Sequence, residues 1–239
     1  QDLQSSLIEG SYAPSGVRGV RIPKPKGGYR QLGIPTVKDR LVQQAISQVL
    51  GKRYEPIFSD NSYGFRPMRN AHQALQKAAG YVADGYTNVV DLDLEKFFDK
   101  VNHDRLLWLL GMRIGDRRVL SLIGKFLRSG IMQDGLISQR FQGTPQGSPL
   151  SPILSNIVLD ELDKELEVRG HRVVRYADDA IILVRSKEAA KRVLRSITDF
   201  IENRMLLKVN REKSRICRPY ELNFLGYTIQ YGGKLGISR

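Results

Sequence analysis

The chain has 239 residues, 41% of them hydrophobic and 26% charged, with a formal charge of +13. This composition is ample for a buried core and excludes a disordered or fibrous chain, while the excess positive charge calls for a polyanionic partner. The single cysteine, Cys217, excludes an intrachain disulfide and a cysteine-rich zinc site; without a bilayer-length apolar run or a signal-like start, a soluble protein of a reducing intracellular compartment is expected.

The first predicted element is a hairpin: Gly19-Val20-Arg21-Ile22, a Pro/Lys/Gly turn, then Tyr29-Arg30-Gln31-Leu32-Gly33-Ile34. It reads as a stiff two-stranded arm from which basic side chains project. Thr36 with Asp39 forms a capping pair for the next helix, whose apolar stripe of Val37, Leu41, Val42, Ala45, Ile46, Val49 and Leu50 is assigned to the core. Asn70 caps a further helix through about Val82. An acidic strand, Asn88 to Leu94, follows. Side chains alternate along a strand, so Val90, Leu92 and Leu94 share the packed face and Asp91 and Asp93 the other. A helix is predicted from after Gly147 to about Val168, and another from about Lys187 to Arg204, capped by Ser186. Between them, Val173-Val174 and Ala180 to Val184 flank Tyr176-Ala177-Asp178-Asp179, a hairpin with an acidic tip. A strand-like segment, Leu222 to Tyr231, comes last. The plan is α+β, without repeats, low-complexity tracts or long linkers.

Asp is a common turn residue, so an acidic hairpin tip means little alone. The second acidic strand changes that. Paired beside the hairpin, it would bring carboxylates from both elements together, enough to hold two metal ions roughly 3.5–4 Å apart for phosphoryl transfer. Oxygen-only ligands suit Mg²⁺, which takes one or two protein carboxylates plus substrate phosphates. Asp178 and Asp179 point to opposite faces, so only one joins such a cluster directly; periodicity chooses neither between them nor between Asp91 and Asp93. The charge distribution agrees. Residues 1–69 carry 11 Lys/Arg against 5 Asp/Glu and residues 169–218 carry 14 against 6, but residues 70–168 carry 11 against 13. Basic blocks flanking an acidic centre suit a nucleic-acid groove around a metal-binding centre, with solvated basic faces as the plainer alternative. His72, His103 and His171 lack metal-ligand spacing.

Several motifs follow in order: Ile22-Pro23-Lys24-Pro25-Lys26-Gly27-Gly28, Leu32 to Thr36 with Asp39-Arg40, Ser62-Tyr63-Gly64-Phe65-Arg66-Pro67, and Asp93 followed by Phe97-Phe98-Asp99. Then come Thr144 to Pro152, the Tyr-Ala-Asp-Asp turn, Asn210 to Lys213, and Phe224-Leu225-Gly226-Tyr227. From about Tyr12 to about Gly232 the chain resembles the reverse transcriptase domain of group II intron-encoded proteins, or intron maturases. Related reverse transcriptases share the palm motifs; the Ser62–Pro67 and Leu32–Thr36 segments favour the group II lineage.

The resemblance implies a right-hand polymerase fold with fingers and palm, the palm an antiparallel sheet backed by helices in a ferredoxin- or RRM-like arrangement. Fingers are expected over residues 1–70 and 103–147 and palm over 71–102 and 148–239, both approximate. It selects Asp93 over Asp91 and Asp99 as metal ligand, Asp178 as the second ligand and Asp179 as its support, with the backbone carbonyl of Leu94 as a further ligand. Two Mg²⁺ ions are implied, with Mn²⁺ as a substitute in vitro. Phe98 matches the aromatic that lies under the sugar of the incoming nucleotide and excludes a 2′-hydroxyl; one of Phe97 and Phe98 is expected in the core. Gln146 and Gly147 match the loop contacting nucleotide and template. Lys24 and Arg30 match cations on the triphosphate, with Lys26 an alternative to Lys24. Lys213 matches a lysine that protonates or neutralises the leaving pyrophosphate, against a plain surface lysine. Phe224, Leu225 and Gly226 match the strand gripping the primer end, against an ordinary edge hairpin.

The implied function is RNA-directed DNA polymerisation with an RNA template, DNA primer and dNTPs, together with group II intron RNA binding for splicing and retrohoming. The alternative is a non-catalytic RNA-binding splicing cofactor on the same scaffold. The chain starts at Gln1, not Met, and reads as a fragment lacking the family's thumb or maturase domain. Weak or no activity in isolation is therefore expected, and apolar surface left uncovered could promote a homodimer. The implied location is the bacterial cytoplasm or nucleoid, or an organelle in a eukaryote, with no membrane partner.

Overall fold

The computed structural model describes residues 3–23, 27–133, 136–138 and 141–238. In chain order the elements are α1 (Leu3–Ile8), β1 (Val17–Pro23), β2 (Tyr29–Ile34), α2 (Val37–Tyr54), α3 (Ala71–Ala83), β3 (Asn88–Leu92), α4 (Phe97–Lys100), α5 (His103–Gly111) and α6 (Arg117–Arg128). They continue with β4 (Ile131–Gln133), β5 (Leu136–Ser138), α7 (Ser151–Val168), β6 (Arg172–Tyr176), β7 (Asp179–Val184), α8 (Lys187–Asn203), β8 (Arg215–Cys217), β9 (Tyr227–Ile229) and β10 (Leu235–Ile237). Two compact units emerge: residues 1–53 with 98–157 form unit 1, and residues 54–97 with 158–239 form unit 2. Among the described residues no helix is long and apolar enough to cross a membrane.

In unit 1, β1 and β2 pair antiparallel with Gly19 opposite Gly33 and Ile22 opposite Arg30. The arm is not two-stranded, as the sequence reading has it. Strand order is β2-β1-β4-β5, because β1 also pairs parallel with β4 through Val17–Ile131 and Arg18–Met132. Gly19 permits this close approach: a Cβ there would stand 2.8 Å from Ile131 Cγ2. The cap of α2 forms as expected, the Thr36 hydroxyl accepting from Asp39 N at 3.2 Å. Its apolar stripe divides, however. Val42 and Leu50 are buried, whereas Val37, Leu41 and Val49 are exposed. The helix is turned so that Gln43 faces inward, where its Oε1 accepts from the Ser148 hydroxyl at 2.6 Å. A satisfied buried amide has taken a position that periodicity assigns to a hydrocarbon.

In unit 2, the sheet order is β6-β7-β3-β8, antiparallel throughout. Counting these four strands along the chain, the order 2-3-1-4 is that of a split βαβ or ferredoxin-like sheet. Asn70 and Gln73 form a reciprocal capping box at the start of α3, and Ser186 caps α8 by accepting from Ala189 N at 3.1 Å. One sheet face, with Val89, Val174, Ile181, Leu183 and Cys217, packs on Leu75, Ala78 and Val82 of α3 and on Phe224 and Ile229. Val90, Leu92 and Ile182, of opposite parity, are buried as well. The second face of β3 is therefore not a row of carboxylates: Val89 buries its first half, and only the end at Asp91 is open. Leu222 to Tyr231 is not one strand either. Phe224 and Tyr227 exchange backbone hydrogen bonds of 2.9 and 3.0 Å across Leu225 and Gly226, both with positive φ. Two positive-φ central residues make a primed hairpin turn.

Residues 54–70, grouped by motif order with the first lobe, belong to unit 2. Tyr63 N donates to Arg175 O and Arg175 N to Asn61 O, each at 2.9 Å, covering the edge strand β6. Residues 98–102 belong to unit 1, where Thr144 N donates to Phe98 O and Gly143 N to Val101 O.

Candidate active site

Unit 2 brings four carboxylates to one end of its sheet. Asp91 lies opposite Ile181 on β7, and extending that register sets Asp93 opposite Asp179. Asp91, Asp93 and Asp179 thus share a face, and Asp178 sits in the adjoining turn, closed by the Tyr176–Asp179 pair. Burial, then the charges of Asp91, Asp178 and Asp93, push the Asp179 carboxyl up to about 7. Burial also raises Asp91, opposed by Arg215, whose Nε lies 3.4 Å from Asp91 Oδ2. Asp93 is fixed by its backbone. Its N–H donates to Ser214 Oγ at 3.0 Å, the same hydroxyl donates to its carbonyl at 3.2 Å, and Asn210 N donates there at 2.9 Å. Leu94 bridges to Val209. These bonds bring the 210–214 turn to the aspartates and leave Lys213 Nζ 3.8 Å from Asp93 Oδ2.

Among the described residues no group of three or more His, Cys, Asp and Glu side chains stands ready to hold a metal ion. The donors are hard oxygens whose mutual repulsion Arg215 and Lys213 offset only in part, and one or two carboxylates are what Mg²⁺ takes when water and phosphate complete its shell. On donor chemistry the residues fit that ion.

The acidic turn is itself strained and braced. Ala177, its first central residue, has φ +58°, in the left-handed region that alanine rarely adopts. Gly64 lies directly against it: a Cβ at position 64 would come within 2.2 Å of Ala177 N. From inside, Arg175 reaches the same turn. Its guanidinium pairs two-pronged with Asp163 of α7 at 2.8 and 2.6 Å, donates to Ala177 O at 2.6 Å and to Ser62 Oγ at 2.7 Å. Arg175 and Asp163 are each about 1% exposed. A charge pair this dry persists only with excellent geometry and filled hydrogen-bond valences, and here each branch of the fork has a partner. The sequence reading missed Arg175, Asp163 and Gly64 as contributors. Its available signals were a charged residue inside the apolar run of β6 and the glycine between Tyr63 and Phe65.

In unit 1, Phe98 is half-buried, whereas Phe97 of unit 2 is 2% exposed and takes the core role. The Phe98 carbonyl accepts from Thr144 N at 2.6 Å, and Gly143, φ +87°, lies so close that a Cβ would stand 2.8 Å from that oxygen. Gln146 O accepts from Gly33 N at 2.8 Å, and Ser151 Oγ donates to Pro145 O at 2.7 Å. Phe98, Gln146 and Gly147 are thus tied to the base of β2. Arg30, exposed, lies three residues along that strand from Gly33, about 10 Å away. Lys24 and Lys26 lie outside the described residues. In unit 2, Phe224 is fully buried in the core, leaving Leu225 and Gly226 at the turn as the accessible part of its segment.

Residues 22–229 match the family model for reverse transcriptase (RNA-dependent DNA polymerase). The group II intron-encoded protein LtrA of Lactococcus lactis subsp. cremoris is 32% identical over 94% of this chain, and protein YkfC of Escherichia coli (strain K12) is 32% identical over 96%. The chain spans 48% of LtrA and 70% of YkfC. In fold it is similar to telomerase from Candida albicans, with a TM-score of 0.75 at 11% identity over 96% of this chain and 46% of that one. Antiparallel palm sheet, acidic strand and acidic turn agree with those likenesses, and the chain belongs to the reverse transcriptase (RNA-dependent DNA polymerase) family, in its group II intron-encoded branch.

Proposed function

We propose that this chain is the polymerising part of an RNA-directed DNA polymerase, with unit 1 supplying fingers and unit 2 the palm. One observation carries the reading: Asp93 and the Tyr-Ala-Asp-Asp turn come from neighbouring antiparallel strands and meet at one open sheet end. In the reaction, a primer 3′-hydroxyl attacks the α-phosphorus of a dNTP opposite an RNA template, and the bond to pyrophosphate breaks. Asp93 and Asp178, with the Leu94 carbonyl, would hold two Mg²⁺ ions, or Mn²⁺ in vitro. Bound there, such ions supply charge neutralisation and a more acidic attacking hydroxyl. Asp179 backs that pair from the buried side. Lys213, beside Asp93, meets the charge that develops on the leaving pyrophosphate. Phe98 lies under the deoxyribose and excludes a 2′-hydroxyl; Gln146 and Gly147 steady nucleotide and template. Arg30 takes the triphosphate two-pronged, and Lys24 joins it. Leu225 and Gly226 contact the primer end.

In this reading the template is intron RNA, bound also for splicing and retrohoming, in a bacterial cytoplasm or nucleoid or in an organelle. The test is primer extension on RNA with Mg²⁺, comparing the chain alone, the chain joined to a thumb region from a relative, and that longer form carrying Asp178→Ala. The longer form should extend, Asp178→Ala should lose about 100- to 1,000-fold, the order expected when a group stabilising the transition state is removed, and the chain alone should be weak. A folded longer form that binds intron RNA but never extends a primer would mean a splicing cofactor on a polymerase scaffold.

A further inference from the structure

A row of alternating cations and aromatic rings crosses unit 2 at the end of the sheet remote from the aspartates. Lys77 of α3 lies 5.1 Å from the centre of the Tyr81 ring. Arg172, at the start of β6, stands between two rings, 5.9 Å from Tyr81 and 5.8 Å from Tyr86. Arg185, just past β7, covers Tyr86 at 4.5 Å. The rings meet edge to face with centres 6.2 Å apart. Arg172 pairs with Leu183, whereas the acidic turn is closed by Tyr176 and Asp179. The row therefore stands roughly 13 Å along β6 from that turn.

Beside the row opens a cleft of about 410 Å³, whose wall adds His171 and Arg192. No Asp or Glu lines it among the described residues. Arg172, Arg185 and Arg192 make no ion pair among the described residues. The guanidinium groups of Arg172 and Arg185 beside it hold the Tyr86 hydroxyl below its usual range. Arginines gathered this closely repel one another until an anion arrives, and their planar forks suit phosphate oxygens. Ring faces set between cations suit bases attached to those phosphates. A membrane surface would call for an apolar flank to insert, and Lys77, Arg172 and Arg185 are all exposed charges.

We propose that the Lys77–Tyr81–Arg172–Tyr86–Arg185 row binds single-stranded RNA, as a second nucleic-acid site separate from the candidate active site. It holds the strand through phosphates on the cations and bases on the tyrosines. The site stands or falls apart from the polymerase reading, since its readout is binding.

The experiment measures binding of a labelled single-stranded RNA of about 20 nucleotides, long enough to span more than one site, across a salt series. It compares the chain with Arg172→Ala/Arg185→Ala and with Lys77→Ala/Arg185→Ala, all of whose truncated side chains are exposed. Each double variant should weaken binding about tenfold or more and reduce the slope of log K against log salt by about 1.4, since each single-strand phosphate contact contributes about 0.7. Tyr86→Leu should weaken binding without changing the slope. Zero-length photo-cross-links from the RNA should fall on peptides holding Tyr81 and Tyr86. Unchanged affinity and slope in both double variants, with parental melting temperatures, would overturn the proposal. So would cross-links confined to other peptides, or variants that lose binding to anionic vesicles or inorganic phosphate while keeping RNA.

Discussion

The two ends of the unit 2 sheet handle charge in opposite ways. At one end, aspartates crowd together on a turn whose support is a dry Arg175–Asp163 pair with every branch bonded. At the other, arginines stand exposed around two tyrosines with no carboxylate opposite them among the described residues. The lesson concerns cost. A charge taken out of water must be matched atom for atom, so it becomes a fixed strut; a charge left in water can wait for its partner, so it becomes a contact surface. One sheet thus carries a dry, fully bonded charge pair at one end and exposed arginines without ion pairs among the described residues at the other.

The contrast breaks most visibly if the strut is removed. Arg175→Ala leaves Asp163 buried and unpaired, and should cost about 3–5 kcal/mol of stability in urea melts. The sharper variant is Arg175→Met/Asp163→Leu, which removes both charges and should recover most of that stability. It should still extend primers poorly, because Ala177 O and Ser62 Oγ lose their donor; full activity would reduce Arg175 to a core filler. Gly64→Ala tests the outer brace. With a Cβ 2.2 Å from Ala177 N the turn must shift, and a displacement near 1 Å should cost about 100-fold in extension rate. The smallest effect concerns Asp160, which burial pushes up to about 6 despite a hydrogen bond from Ser59 N. Its folded pKa exceeds the unfolded value, so its contribution is most favourable below about 4 and is lost as pH rises through about 6. Asp160→Asn should raise the melting temperature slightly at pH 7 and leave it unchanged at pH 4; an equal shift at both would assign the effect to packing.

What could be read beforehand was what lies close in sequence or repeats with a simple period. Asn70 and Gln73, or Ser186 and Ala189, are each three residues apart, and their caps formed as written. Alternation set Asp91 and Asp93 on one face, and pairing of β3 with β7 then brought Asp179 onto it. The α2 stripe failed because periodicity reports hydrocarbon, not what covers it, and Gln43 found a hydrogen bond inside. Arg175 failed for a related reason. Its partners are Asp163, Ser62 and a backbone oxygen, two of them on other elements, and a buried arginine reads as a surface one until those partners are known. The strand expected at Leu222–Tyr231 hid a turn at Leu225-Gly226, where the glycine was the signal.

The four-stranded sheet of unit 1 has a mechanical consequence. Among the described residues β1 pairs with β4 only through Val17 and Arg18, its first two residues, while Arg30 sits opposite Ile22 near its other end. The hairpin is rooted next to the loop that ties Gly33 to Gln146, and among the described residues no third strand pairs with the length that carries Arg30. Strand pairing alone thus carries the stretch around Arg30 among the described residues, whereas the root is held from two further sides, by β4 and by Gln146 O.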